Sequence, residues 1–408
     1  MLLGRGFSAL WSTNALSNLA DGIAFVSMPL LAASMTDDPR LVAGLATLYA
    51  LVRLLVALPV GVWVDRIDRR TLIVTANLLR GGALLGLALT IQLGVSSLGV
   101  LYAAMAVVGT LESTADSAAV AIVPSLVDRD RLDTANGRIA AAQLVADEFA
   151  GPPLGGFLFA LAAAAPVFAM GGLWAVAGVV ALALPIRSSS RSAARAAAAI
   201  RPSIYTEARE GITWLARHRV VGSLALFGAL ASVGYMLPFS ILVLFAQERL
   251  ELDGAGYGLL LAFSALGGLL GSFLAPRLRP RLGYRWTIVA SLALGALTLA
   301  GLALTTNPFV AGVLLALYIL HAVVWSICAV SLRQRLIPDD LLGRVGGAAR
   351  VLGLLGLAAG SALGGILGTV DLVVPVFAGA VVFAACCLVA GVTLRGDLTP
   401  EDEDHGRD

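Results

Sequence analysis

The sequence predicts an all-α membrane protein of twelve transmembrane helices in two pseudo-symmetric six-helix halves. Three observations predict it. The 408 residues are 59% hydrophobic and only 13% charged, with mean hydropathy +0.90, which is too little charge to cover a soluble surface. The apolar residues fall in long runs, and a helix crossing a bilayer takes roughly 20 of them. A polar, arginine-spotted stretch over 186–219 separates the runs into two sets.

The first run, 8–33, follows Arg5 as a signal peptide would. It is too long for one and carries Asn14, Asn18 and Asp21, so it reads as an uncleaved first span. Span two, 41–63, contains Arg53, and span three, 71–93, contains Arg80. Span four, 98–122, holds Glu112 and Asp116, four apart on one helix face. Span five, 138–161, holds Asp147, Glu148 and the run Gly151-Pro152-Pro153-Leu154-Gly155-Gly156, which favours close helix approach and a bend. Span six, 165–185, completes an N-terminal half over 1–185.

The connector, 186–219, contains one amphipathic stretch, Ile204–Arg217, with a charged face opposite apolar positions. It predicts a helix in the headgroup plane with Trp214 at the interface, a soluble linker helix being the alternative. The C-terminal half, 220–394, follows with spans at 221–246, 255–276, 286–305, 308–331, 346–369 and 372–394, and then an acidic cytoplasmic tail over 395–408. This half is almost uncharged. Tyr235 and Phe239, four apart on span seven, and His321 and Trp325, four apart on span ten, offer an apolar, aromatic substrate pocket. Ordinary packing around one satisfied histidine is the competing reading.

All 28 basic residues are arginine. With the N-terminus in the cytoplasm, external loops hold only Arg40 and Arg249, Arg53 and Arg80 lie inside spans, and the other 24 fall on or near the cytoplasmic side. Both termini are therefore expected in the cytoplasm, and the net charge of +2 reflects topology rather than a nucleic-acid partner. Cys328, Cys386 and Cys387 sit in spans without metal-ligand spacing and read as packing residues. No metal and no cofactor is expected.

The halves echo each other. Gly151-Pro-Pro-Leu-Gly155-Gly156 in span five has a counterpart in Gly360-Ser-Ala-Leu-Gly364-Gly365 in span eleven. Asn136-Gly137-Arg138 opens span five as Gly343-Arg344 opens span eleven, each after a Pro/Asp-rich turn. Between spans two and three stands Gly61-Val-Trp-Val-Asp65-Arg66-Ile-Asp68-Arg69-Arg70, a glycine-led, charge-dense loop of a few residues that ties two spans into an antiparallel hairpin. The equivalent place after span eight, Pro276–Arg285, keeps arginines and lacks the aspartate.

The Asp65 loop resembles the loop between spans two and three of the major facilitator superfamily, with Gly61, Asp65, Arg66, Arg69 and Arg70 matching. Ala135-Asn136 before the Gly-Pro run, Glu210-Gly-Ile-Thr-Trp-Leu-Ala-Arg-His218, and Arg333-Gln334 before Pro338 and Gly343-Arg344 resemble its bacterial drug- and siderophore-exporter branch. The resemblance implies two related halves with a substrate site at mid-membrane. It further implies that Asp65, with Arg66 and Arg69, acts as a conformational latch, and that the run containing Gly151, Pro152, Gly155 and Gly156 marks an antiporter.

Charges inside a span cost roughly 2.5–3.5 kcal/mol each, so they are seldom idle. Asp21, Glu112, Asp116, Asp147 and Glu148 against Arg53 and Arg80 leave an excess of acid. This is the pattern of a proton-coupling cluster, a structural ion-pair network being the alternative. Asp21 and Glu112 are the expected exchanging pair, with Arg53 or Arg80 as counter-charge.

The resulting expectation is a secondary transporter in the bacterial plasma membrane. It exports a mostly apolar small molecule, as in multidrug efflux, by proton antiport, and works as a monomer. Export of a siderophore or another self-made metabolite is the alternative. No Gly-x-x-x-x-Gly-Lys-Ser/Thr loop is present, so no nucleotide partner is expected. Neither His-Glu-x-x-His nor Gly-x-Ser-x-Gly occurs, which argues against a membrane-embedded enzyme. A transport-dead sensor or scaffold is the other rival, and it has no need of a latch.

Overall fold

The computed structural model describes residues 4–185, 204–338 and 341–394. Outside the described residues lie connector positions 186–203, the Asp339-Asp340 pair, the tail 395–408 and a few side chains, that of Asp65 among them. The described residues are helical without strands. The helices are α1 (Arg5–Met35), α2 (Pro39–Arg66), α3 (Arg69–Gln92), α4 (Leu98–Ile122), α5 (Leu132–Gln143), α6 (Gly151–Leu161) and α7 (Ala165–Ala181). After the connector come α8 (Ile204–Arg217), α9 (Arg219–Phe239), α10 (Leu242–Glu248), α11 (Gly254–Leu304), α12 (Pro308–Leu336), α13 (Leu342–Gly368) and α14 (Val373–Thr393).

Among the described residues ten helical stretches are long and apolar enough to cross a membrane. One of them, α11, has 51 residues, about 76 Å at 1.5 Å per residue and more than twice a bilayer core of roughly 30 Å. It is interrupted at Gly283, whose φ of 71° lies where side-chain-bearing residues rarely go. The count reaches twelve when α11 is taken as two crossings and the 17-residue apolar α7 as one more.

Two stretches read from the sequence as loops are mostly helix. Gly61–Arg66 forms the end of α2, Arg69 and Arg70 open α3, and only Ile67 and Asp68 link them. Asp68 caps α3, its carboxylate accepting from the Thr71 backbone N–H at 3.0 Å. Arg70 reaches across to donate to the Leu182 carbonyl at the C-terminal end of α7. Pro276–Arg285 is likewise helical apart from Gly283. Arginine is a good helix former, so its density marks a membrane face without marking a loop.

The chain forms two compact units. The first draws on Met1–Asp37, Leu48–Arg201 and Leu252–Ala262, and the second on Asp38–Thr47, Pro202–Glu251 and Phe263–Asp408. In the first, Phe7, Leu10, Val60, Leu72, Ile73 and Ile122 belong to one buried cluster. In the second, Leu215 of α8 is buried with Val221, Ala225, Val345 and Ala349. Part of the apolar face of α8 therefore packs on protein. Ile212, 58% exposed, is on its open side. Arg344 at the start of α13 adds an ion pair to Glu210 of α8 at 2.8 Å.

Candidate functional site

The intramembrane charges of the first unit resolve into two ion pairs and a helical distortion. Arg80 of α3 is completely buried. Its guanidinium donates to Ser17 Oγ at 2.7 Å and Asn77 Oδ1 at 2.8 Å, and approaches Asp21 Oδ1 of α1 at 3.4 Å. The indole of Trp174, itself fully buried on α7, lies 4.7 Å from the guanidinium carbon. A guanidinium sealed from lipid and water needs this many partners, because its desolvation costs several kcal/mol, and the indole face adds a cation–π contact.

The second pair is more open. Arg53 of α2 lies 3.6 Å from Glu112 of α4, with side chains 31% and 13% exposed. Tyr49, one turn before Arg53, bridges them. Its hydroxyl donates to Glu112 Oε1 and accepts from Arg53 Nη1 at 3.2 Å. Asp116, one turn beyond Glu112, is on an exposed part of α4.

Asp147 and Glu148 stand on a π-helical turn, Leu144–Ala150, inserted between α5 and α6. Pro152 and Pro153 follow it. Having no N–H, they leave the carbonyls of Glu148 and Phe149 without their i+4 donors, and just before them the Gly151 N–H bonds the Ala146 carbonyl five residues back, as a π-turn does. Asp147 is half-buried and Glu148 exposed, so the two carboxylates face different surroundings. In span five the regular α-helix thus gives way to a π-turn just before the Gly151–Gly156 run. Its glycines also make a contact surface: a Cβ on Gly151 would stand 2.5 Å from the Gly22 Cα of α1, and one on Gly22 would stand 2.5 Å from the Asp147 carbonyl oxygen. The backbones of α1 and of the π-turn with the start of α6 touch directly.

The second unit brings three of the four predicted residues, Tyr235, Phe239 and His321, into one ring assembly, and Trp325 lines a pocket with Tyr235 and His321. Tyr235 and Phe239 stack at 4.4 Å, and both stack on Tyr318, at 6.1 and 5.8 Å. His321 sits between Tyr318 and Phe383, with centroids 4.7 and 4.9 Å away. The Nδ1–H of His321 donates to the Tyr318 carbonyl, which can only accept. Its Nε2 is buried without a hydrogen-bond partner. The histidine is thus half satisfied. Cys328 and Cys386 are buried, and Cys387 is half-buried.

Sequence reasoning found the seven charged residues of this arrangement but missed Ser17, Asn77, Tyr49 and Trp174. Three of them carried a signal: Ser17 precedes Asp21 by four, Asn77 precedes Arg80 by three, and Tyr49 precedes Arg53 by four, spacings that share a helix face. Trp174 carried none. Of the loop residues, Gly61 and Arg66 lie on α2, and Arg69 and Arg70 on the first turn of α3.

Comparison with known proteins identifies the family. The chain is 27% identical over 414 aligned positions to the enterobactin exporter EntS of Salmonella typhimurium, covering 98% of this chain and 96% of that protein. Its fold matches the crystal structure of a bacterial homologue of the iron transporter ferroportin, in an inward-facing state. There the TM-score is 0.73 and the identity 21%, over 96% of this chain and 98% of the other. The crystal structure of the nucleoside transporter NupG superposes with TM-score 0.73 at 12% identity, over 97% of this chain and 100% of the other. The sequence profile of the Major Facilitator Superfamily matches residues 10–361 and again 224–407. With that match over most of its length, the chain belongs to the Major Facilitator Superfamily and is a multi-pass membrane transporter, not an enzyme.

Proposed function

We propose that this transporter exports a siderophore or a comparable self-made metabolite across a bacterial plasma membrane, by alternating access and in exchange for protons. The observation that carries the substrate reading is the similarity to enterobactin exporters along nearly the whole chain. It favours metabolite export over the general multidrug efflux expected first from the sequence. The arginine distribution supports cytoplasmic termini, and the resemblance of the Gly61–Arg70 motif supports a latch role for Asp65 with Arg66 and Arg69.

For the proton, the open pair is the better candidate. The two carboxylates are similarly exposed, Asp21 at 18% and Glu112 at 13%, but Arg80 is wholly buried whereas Arg53 is 31% exposed and can swing away from its partner. Glu112 is therefore the proposed exchanging group and Arg53 its counter-charge. Asp116, Asp147 and Glu148 are the auxiliary carboxylates, and Asp21–Arg80 is the structural pair. A proton moving inward down 100 mV supplies about 2.3 kcal/mol, a bias of roughly fortyfold.

The test is transport by purified protein in liposomes under an imposed pH gradient, with enterobactin and ethidium as alternative cargoes. Enterobactin should be concentrated and ethidium should not. Glu112→Gln should abolish uphill transport yet allow downhill exchange. Ethidium carried as fast as enterobactin would overturn the substrate reading, and uphill transport by Glu112→Gln at the wild-type rate would overturn the proton assignment.

A further inference from the structure

Inside the second unit lies a cavity of about 180 Å³, bordered by α9, α12, α13 and α14. Tyr235, His321, Trp325 and Phe383 contribute rings to its lining, and among the described residues no aspartate, glutamate or arginine lines it. The rings are held by one another. His321 meets Phe383 edge to face at 85°, while Tyr318, fully buried, stacks on Tyr235 at 9°. His321 is bonded at one nitrogen and crowded at the other. Nδ1 is bonded to the Tyr318 carbonyl, and Nε2 lies so near Gly295 that a Cβ there would stand 2.5 Å from it.

We infer that this cavity is a binding site for a single uncharged aromatic ring bearing a hydroxyl, presented by the transported molecule. Size is the first argument: about 150 Å³ suffices for benzene, and this pocket of about 180 Å³ is open on one side, so a ring can enter while the rest of its molecule stays outside. Shape is the second. Rigid rings in edge and face orientations favour another ring, because a π-face and a ring edge carry opposite partial charges. Charge is the third, since an ionised ligand would lose its hydration with no opposite charge on the wall to meet it. The hydroxyl follows from Ser232, which lines the cavity and gives its own proton to the Gly228 carbonyl at 2.9 Å. Its oxygen keeps acceptor capacity, which a ligand O–H satisfies. The inference rests on the export reading only in calling the ring part of a substrate.

The experiment uses the full-length protein in detergent and follows 4-fluorophenol by fluorine NMR. Gly228 borders the cavity, and a Cβ on it meets nothing within 4 Å, so Gly228→Leu starts from open space and narrows the cavity with its branches. Wild type should bind the probe saturably, with phenol displacing it and cyclohexanol and benzoate failing to. Gly228→Leu should bind at least tenfold more weakly while unfolding at the wild-type temperature. As a second variant that changes no packing, Ser232→Ala should weaken 4-fluorophenol severalfold and leave fluorobenzene unchanged. Equal binding by wild type and a folded Gly228→Leu, or displacement by cyclohexanol as effective as by phenol, overturns the site. Because binding is read without transport, a protein that binds the probe but moves no siderophore upholds the site and sinks the export reading.

Discussion

Arg80 and Asp21 face each other from α3 and α1, Nη1 to Oδ1 at 3.4 Å, with the arginine side chain wholly inaccessible and the aspartate 18% exposed. The arrangement is asymmetric: the cation is enclosed and its anion sits at the rim of the enclosure. Asp21→Ala should accordingly cost about 3–5 kcal/mol, because it strands a buried charge. Replacing both, Asp21→Leu with Arg80→Met, should recover most of that loss. Thermal unfolding in detergent measures both, and a stable Asp21→Ala single variant would show that the pair does not support the fold.

Tyr49 is expected to matter for turnover more than for stability. Tyr49→Phe removes one hydroxyl shared by Glu112 and Arg53 and leaves those two still 3.6 Å apart. A hydrogen bond to a charged group contributes about 1.5–3 kcal/mol to stability, so the unfolding temperature should fall modestly, while transport slows by roughly tenfold or more, since about 1.4 kcal/mol is tenfold. A Tyr49→Phe protein that transports at the wild-type rate would remove Tyr49 from the site.

The glycine contact can be tested by contrast. Gly22→Ala drives a methyl into the backbone at Asp147, whereas Gly82→Ala and Gly86→Ala meet nothing within 4 Å. The first should destabilise by about 1–3 kcal/mol or more through overpacking. The other two should be neutral or stabilise by about 0.5–1 kcal/mol, since alanine is the better helix former. Expression level and thermal unfolding of the three variants decide the matter.

Orientation is checked by cysteine accessibility in a variant lacking Cys328, Cys386 and Cys387. Cysteine introduced at Asp38 or Asp253 should react with an impermeant maleimide applied to intact cells, and cysteine at Asp130 should not. The reverse labelling pattern would invert the topology.

Much of the fold was legible because hydropathy writes each span into the chain, and charge placed inside a span is visible without a structure. The pairing was not. Whether Asp21 answers to Arg53 or Arg80 depends on how each helix is rotated, and a rotation of one residue, about 100°, moves a side chain off the shared face. The motif at Gly61–Arg70 was found but misjudged in form, since polarity was taken as the sign of a loop when helix continues to Arg66. For α8 the amphipathic pattern revealed an apolar face and could not say whether lipid or protein covers it. His321 and Trp325 were found by spacing, but Tyr318 and Phe383, which complete the ring assembly, are ordinary aromatics in apolar helices until packing brings them together.

The enclosure of Arg80 also constrains how this protein is made. Asp21 and Ser17 are synthesised before Arg80, so its polar partners are already in the bilayer when it arrives. The indole that covers it, Trp174, comes about 90 residues later, which at 5–20 residues per second is roughly 5–20 s of translation. Throughout that interval the nascent hairpin holds a guanidinium with one side uncovered. The arrival of α7, with Trp174, ends the exposure.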